Sequence, residues 1–77
     1  MVKKLNELLV GEKGKVIAIF CPPDMPGFRG RLEAMGLSIN CEVIVLRKHW
    51  FSPIHVQVGM TELMIRKVDA GHIWIKL

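Results

Sequence analysis

Seventy-seven residues, 51% of them apolar, with eleven Lys and Arg against seven Asp and Glu, describe one small folded domain. The apolar content excludes a disordered chain. The lack of an apolar run near 18 residues excludes a helical membrane span, and two cysteines are too few for a disulfide scaffold. A chain of this size buries only about 60% of its unfolded surface, so its core is thin and a homo-oligomer stays open. The formal charge of +4 reads first as solubility. Its sharper reading is attraction to an anionic partner, either nucleic acid or a membrane surface.

Met1 to Lys4 opens basic, but Leu5 to Glu12 is too short and too polar for a secretory signal. The expected compartment is the cytoplasm, where Cys21 and Cys41 stay free thiols. Leu5, Leu8 and Leu9 fit one helical turn opening near Asn6, a good N-cap residue. Gly11 and Gly14 bracket a turn. They lack the lysine and hydroxyl of a phosphate loop.

Residues 15–21 read as a first strand, apolar on both faces and so covered on both. Cys21 to Gly27 is a loop punctuated by three prolines. The stretch Phe28-Arg29-Gly30-Arg31-Leu32-Glu33-Ala34-Met35-Gly36-Leu37 organises the chain. Phe28, Leu32 and Met35 recur at helical spacing, and Gly36 stands where a helix stops in the left-handed conformation. Gly30 is unfavourable inside a helix, which points to a close backbone approach or a frayed first turn. This helix is the natural cover for an open end of the strands.

Residues 41–47 form a second strand, and His49 to Pro53 form a loop carrying Trp50 and Phe51. Ile54 to Val58 alternates, with Ile54, Val56 and Val58 inward and His55 and Gln57 outward. Gly59-Met60 matches a type II′ hairpin turn. Residues 61–66 return with Leu63 and Ile65 inward. Residues 67–71 make a short turn with room for one helical turn. Residues 72–77 close the chain as a strand with Ile73, Ile75 and Leu77 on one face and Trp74 on the other. The fold class is mainly β: a small barrel of about five strands with a short helix inserted between strands 1 and 2. A barrel removes the edges that an open sheet exposes.

No catalytic constellation is legible. A Cys-His nucleophile needs a thiol held beside an imidazole, and Cys21 and Cys41 lie at strand ends. Cys21, Cys41, His55 and His72 are the weak metal candidates, none at the close spacing of a zinc site. By alternation His55 and His72 face outward, as solvated histidines do. The expected cofactor is none, with an adventitious or regulatory divalent ion as the alternative.

Aromatics and cations make the better partner-binding candidates. Trp50 and Phe51 are adjacent and point to opposite faces of an extended chain, so at most one enters the core. Trp74 either anchors a partner or is covered by the helix or the first leucine turn. Arg31 either meets an acidic surface or closes a loop carbonyl. Arg29, Arg47, Lys48, Arg66 and Lys67 read as solvated surface, unless some gather beside the helix.

Arg31-Leu32 leading to Met35-Gly36-Leu37 resembles the "R-L-x-x-L/M-G-L" signature of the FeoA family, small accessory proteins of ferrous iron uptake. Leu5, Leu8, Gly11, Gly14 and Val16 before it are similar to that family in spacing. So is the later run of Val56, Val58, Gly59, Leu63, Arg66, Ala70, Ile73 and Ile75. Where the family has Pro-Gly before its second strand this chain has Ile39-Asn40, and Asn also tolerates a left-handed turn. The resemblance implies an SH3-like barrel with a helical insertion, a fold also used as a C-terminal domain by DtxR-type repressors. It implies docking on the cytoplasmic GTP-hydrolysing region of FeoB, the ferrous iron transporter, without direct membrane insertion. The alternatives are a basic barrel that binds nucleic acid, which the scattered charge does not favour, and a metal-sensing domain.

Overall fold

A computed structural model describes Met1–Leu77. Six strands run as β1 (Val2–Lys4), β2 (Lys13–Ile19), β3 (Glu42–Arg47), β4 (Ile54–Val58), β5 (Thr61–Ile65) and β6 (Ile73–Lys76). A 3-10 turn covers Leu5–Glu7, α1 covers Phe28–Met35, and α2 covers Lys67–Ala70. All strand pairs are antiparallel, in the order β1-β6-β2-β3-β4-β5. The sheet curls round one core of 17 buried side chains.

The chain has one strand more than the five expected. Val2-Lys3-Lys4 looks too polar to be a strand, yet it pairs with Lys76, Ile75 and Trp74 of β6. The order ends on β1 and β5, so two short edges remain where full closure would have left none.

The inward set matches the period-2 reading. Ile54, Val56, Val58, Leu63, Ile65, Ile73 and Ile75 are all buried, whereas Leu77, expected to share their face, lies past β6 and is exposed. Gly59 has φ +60°, and Asn40 is the single non-glycine residue with positive φ. Met60 therefore has negative φ, which makes the β4–β5 turn type II′. Asn40 at φ 77° supplies the left-handed step into β3.

α1 stops as its sequence dictates. Gly36 at φ 108° returns its N–H to the Leu32 and Glu33 carbonyls, and Leu37 donates to Leu32. Phe28 and Leu32 enter the core. Met35, expected on the same stripe, lies 36% exposed, and the fully buried Leu37 fills the core there. The turn at Gly36 swings Leu37 back under the helix, which a straight helical count misses. Nothing lies within 4 Å of a side chain at Gly30, so no neighbouring backbone explains that glycine.

β2 departs most from expectation. It begins at Lys13, so Gly14 lies inside a strand and not in a turn. A Cβ there would sit 2.5 Å from the Lys76 carbonyl oxygen and 2.6 Å from Ile75 Cγ2. Lys13 to Lys15 pair with β3, and Lys15 to Ile19 pair with β6, so β2 is shared by both halves of the sheet. A bulge between Val16 and Ala18 leaves both Ile17 and Ala18 turned away from the core. The strand is covered on one face, not two.

The leucine turn also differs. Lys4 is its N-cap residue, its N–H held by the Glu7 carboxylate at 2.8 Å, and Asn6 lies inside the turn. Leu5 and Leu8 are buried while Leu9 is exposed. Lys48 ties the turn down through Nζ, which donates to the Asn6 carbonyl at 2.7 Å and the Leu8 carbonyl at 2.9 Å. Lys48 is thus a structural cation and not solvated surface.

Candidate docking surface

The β3–β4 loop presents its two aromatics to solvent, Trp50 at 82% and Phe51 at 93% exposure. Neither enters the core. Their rings meet edge to face at 6.3 Å, which keeps two large apolar groups together outside the fold. The loop is held from below by Lys67 on α2, whose ammonium donates to the Trp50 carbonyl.

Arg66, just before α2, grips Asp69 with two hydrogen bonds, Nε to Oδ2 at 2.9 Å and Nη2 to Oδ1 at 3.2 Å. Asp69 is buried and Arg66 is exposed. The hydrogen bonds to the carboxylate, with its charge second, hold the guanidinium still more firmly protonated.

Arg66 joins two neighbouring depressions. One is lined by Trp50, Phe51, Ser52, Pro53, Arg66 and Lys67. The other lies between α1 and the edge strand β5, where Arg31, Met35 and Met64 line it with Arg66. The result is a strip from the aromatic loop, past Arg66, to α1. Arg31 is exposed and takes part in none of the chain's ion pairs. Asp69 is committed to Arg66, and Glu33 of α1 is paired with Arg29 at 3.6 Å. The strip therefore carries uncompensated positive charge beside exposed aromatic and thioether groups.

Three of the four expected partner residues, Arg31, Trp50 and Phe51, lie on this strip, and Trp74 does not. Trp74 faces outward from β6, as alternation requires, and is half-buried there. Phe20 meets its ring edge-on at 6.4 Å, and Lys4 Nζ lies 5.5 Å above it. Met64 was absent from the expected contact set, although its place between inward Leu63 and Ile65 already turns it outward.

No three His, Cys, Asp or Glu side chains converge in a way that would hold an ion. His55 Nε2 lies 2.7 Å from Glu62 across the β4–β5 hairpin. His72 is not simply solvated: its ring packs at 5.8 Å against Phe28. Cys21 is exposed. Cys41 Sγ lies 3.1 Å from the Ser38 hydroxyl. That hydrogen bond first, and the Ser38 backbone second, draw the Cys41 thiol below its ordinary value against a smaller opposing effect of burial. A depression of about 570 Å³ opens on Cys41 with Lys13, Glu42 and Gln57 but no histidine.

Comparison with known proteins places this geometry. The family model for the FeoA domain matches residues 3–77. A crystal structure of the iron uptake regulatory protein FeoA is 33% identical, covers 99% of this chain and 97% of its own, and superposes with a TM-score of 0.86. The solution structure of FeoA from Chlorobium tepidum is 30% identical over 97% of this chain and 70% of its own, with a TM-score of 0.81. FeoA of Stenotrophomonas maltophilia, a zinc complex called a prokaryotic SH3 domain protein, shares the fold at 24% identity and a TM-score of 0.81, covering 99% of this chain and 89% of its own. Among curated proteins, none matches by sequence. The family match over residues 3–77, the ordered glycines and leucines and the curled SH3-like sheet agree: this chain belongs to the FeoA family.

Proposed function

We propose that this protein is a small cytoplasmic accessory subunit of ferrous iron uptake that docks on the cytoplasmic GTPase region of a FeoB-type transporter and supports or regulates transport. The observation that carries this reading is the strip from Trp50 and Phe51 through Arg66 to Arg31. Exposed aromatics beside arginines are the residue types that dominate binding energy at protein interfaces. The unpaired positive charge fits an acidic patch, where it speeds encounter more than it holds the complex. Family membership supplies the link to iron uptake: one relative is named an iron uptake regulatory protein, and another has been put forward as a ferrous iron transport activating factor.

Calorimetry of the purified chain against the transporter's cytoplasmic region, with and without guanine nucleotide, tests the reading. Binding is expected, and Trp50→Ala with Phe51→Ala should weaken it by about 2 kcal/mol or more, roughly 30-fold. Absence of heat in every nucleotide state at about 0.1 mM protein, where a complex worth about 5.5 kcal/mol is half formed, refutes it.

A further inference from the structure

The lysines that look scattered along the chain are gathered by the sheet. Val2, Lys76 and Lys15 face one another across β1, β6 and β2. The next pairs on the same side are Lys4 with Trp74 and Trp74 with Ala18. The bulge adds exposed Ile17 to this side, and Phe20, 56% exposed, leans its ring on Trp74. One face therefore carries three ammonium groups round a floor of two aromatics and two exposed aliphatics. Its acidic neighbours sit at the rim: Glu42 opposite Lys15 on β3, and Glu7, which holds the Lys4 backbone N–H.

We propose that this outward face of β1, β6 and β2 is a peripheral contact surface for an anionic lipid bilayer. The lysine stems lie along apolar surface while their ammonium groups reach lipid phosphates and carboxylates. Trp74 and Phe20 are ring types suited to the headgroup level, Trp74 with an N–H that can stay hydrated. Ile17 and Val2 have nothing to offer a nucleic acid, because aliphatic side chains do not stack on bases. The face also has no Arg, Asn, Gln, Ser or Thr to read base edges. Adsorption of this kind needs no spanning segment, and no helix here is long or apolar enough to cross a membrane. The surface shares no residue with the aromatic loop and its arginines, so it would hold the protein beside a membrane through side chains that strip does not use.

The test uses the purified chain alone, so its failure leaves the transporter reading standing. Co-sedimentation with phosphatidylserine–phosphatidylcholine vesicles should retain the protein, and pure phosphatidylcholine vesicles should not. The triple variant Lys4→Gln, Lys15→Gln, Lys76→Gln should lose roughly 100-fold in partitioning, at about 1 kcal/mol for each lysine. Its fold is checked by circular dichroism; should it not fold, the exposed-site variant Phe20→Ser takes its place and should also bind less. In a Trp50→Phe background, the emission of Trp74 should shift to the blue on anionic vesicles. Equal retention by both vesicle types, an unshifted Trp74, or a folded triple variant that partitions like the parent overturns the proposal. Binding to a single-stranded oligonucleotide without binding to anionic vesicles overturns it in favour of nucleic acid.

Discussion

Two glycine-to-alanine substitutions should move stability in opposite directions. At Gly14 the added methyl would lie 2.5 Å from the Lys76 carbonyl oxygen and 2.6 Å from Ile75 Cγ2, with a backbone atom as the obstacle. Gly14 does not have positive φ, so packing alone opposes the change. β2 and β6 must separate locally, and overpacking of this kind costs about 1–3 kcal/mol. At about 0.05–0.15 kcal/mol per residue, the whole domain has only about 4–12 kcal/mol in hand. At Gly30 in α1 the same methyl meets open space, and alanine gains up to about 1 kcal/mol of helix propensity. With about 4–8 °C per kcal/mol for a domain this size, Gly14→Ala should melt about 5–20 °C lower. Gly30→Ala should melt up to about 8 °C higher. Thermal unfolding by circular dichroism, with urea titration as a second measure, reads both. A Gly14→Ala protein that melts with the parent, or above Gly30→Ala, refutes the packing argument.

Three further outcomes follow from the contacts of Lys48, the aromatic loop and Cys41. Lys48→Met should leave the Asn6 and Leu8 carbonyls without their donor and destabilise by about 1.5–3 kcal/mol, read as a lower urea midpoint. Trp50→Ala with Phe51→Ala should stay within about 0.5 kcal/mol of the parent per site in the same titration, because neither ring supports the core. In a Cys21→Ser background, Cys41 should alkylate with a pH midpoint below that of an unperturbed thiol, and Ser38→Ala should move the midpoint up. The folded pKa of Cys41 lies below the unfolded one. Its thiolate therefore adds stability above the unfolded pKa, and that stability is lost as the pH falls through the folded value. A Ser38→Ala profile that overlays the parent removes the hydrogen bond as its cause.

Periodicity made α1, the β4–β5 hairpin and β6 legible, since buried Leu32, Val56, Leu63 and Ile75 recur at the spacing that each element imposes. β1 was not legible, because a strand of two lysines and a valine exists only through its pairing with β6. The reach of Lys48 to the leucine turn, 40 and 42 residues away in sequence, leaves no local trace. The same holds for the docking strip. Trp50 and Phe51 could be nominated by residue type, but their junction with Arg31 through Arg66 depends on how α1 settles beside β5. Trp74 pointed outward by simple alternation, whereas Phe20 reaches it only because the bulge in β2 resets the strand's phase.

That extra residue also makes β2 tolerant at one point along its length. With Ile17 deleted, Val16, Ala18 and Ile19 would still stand opposite Ile75, Trp74 and Ile73, now in unbroken alternation. Ile19 would stay in the core and Phe20 would keep its outward side. A deletion one step later, at Ile19, would instead bring Phe20 into the place of a buried isoleucine. Loss of one residue from the Ile17–Ala18 pair should therefore be far easier to accommodate than loss of either flanking core residue.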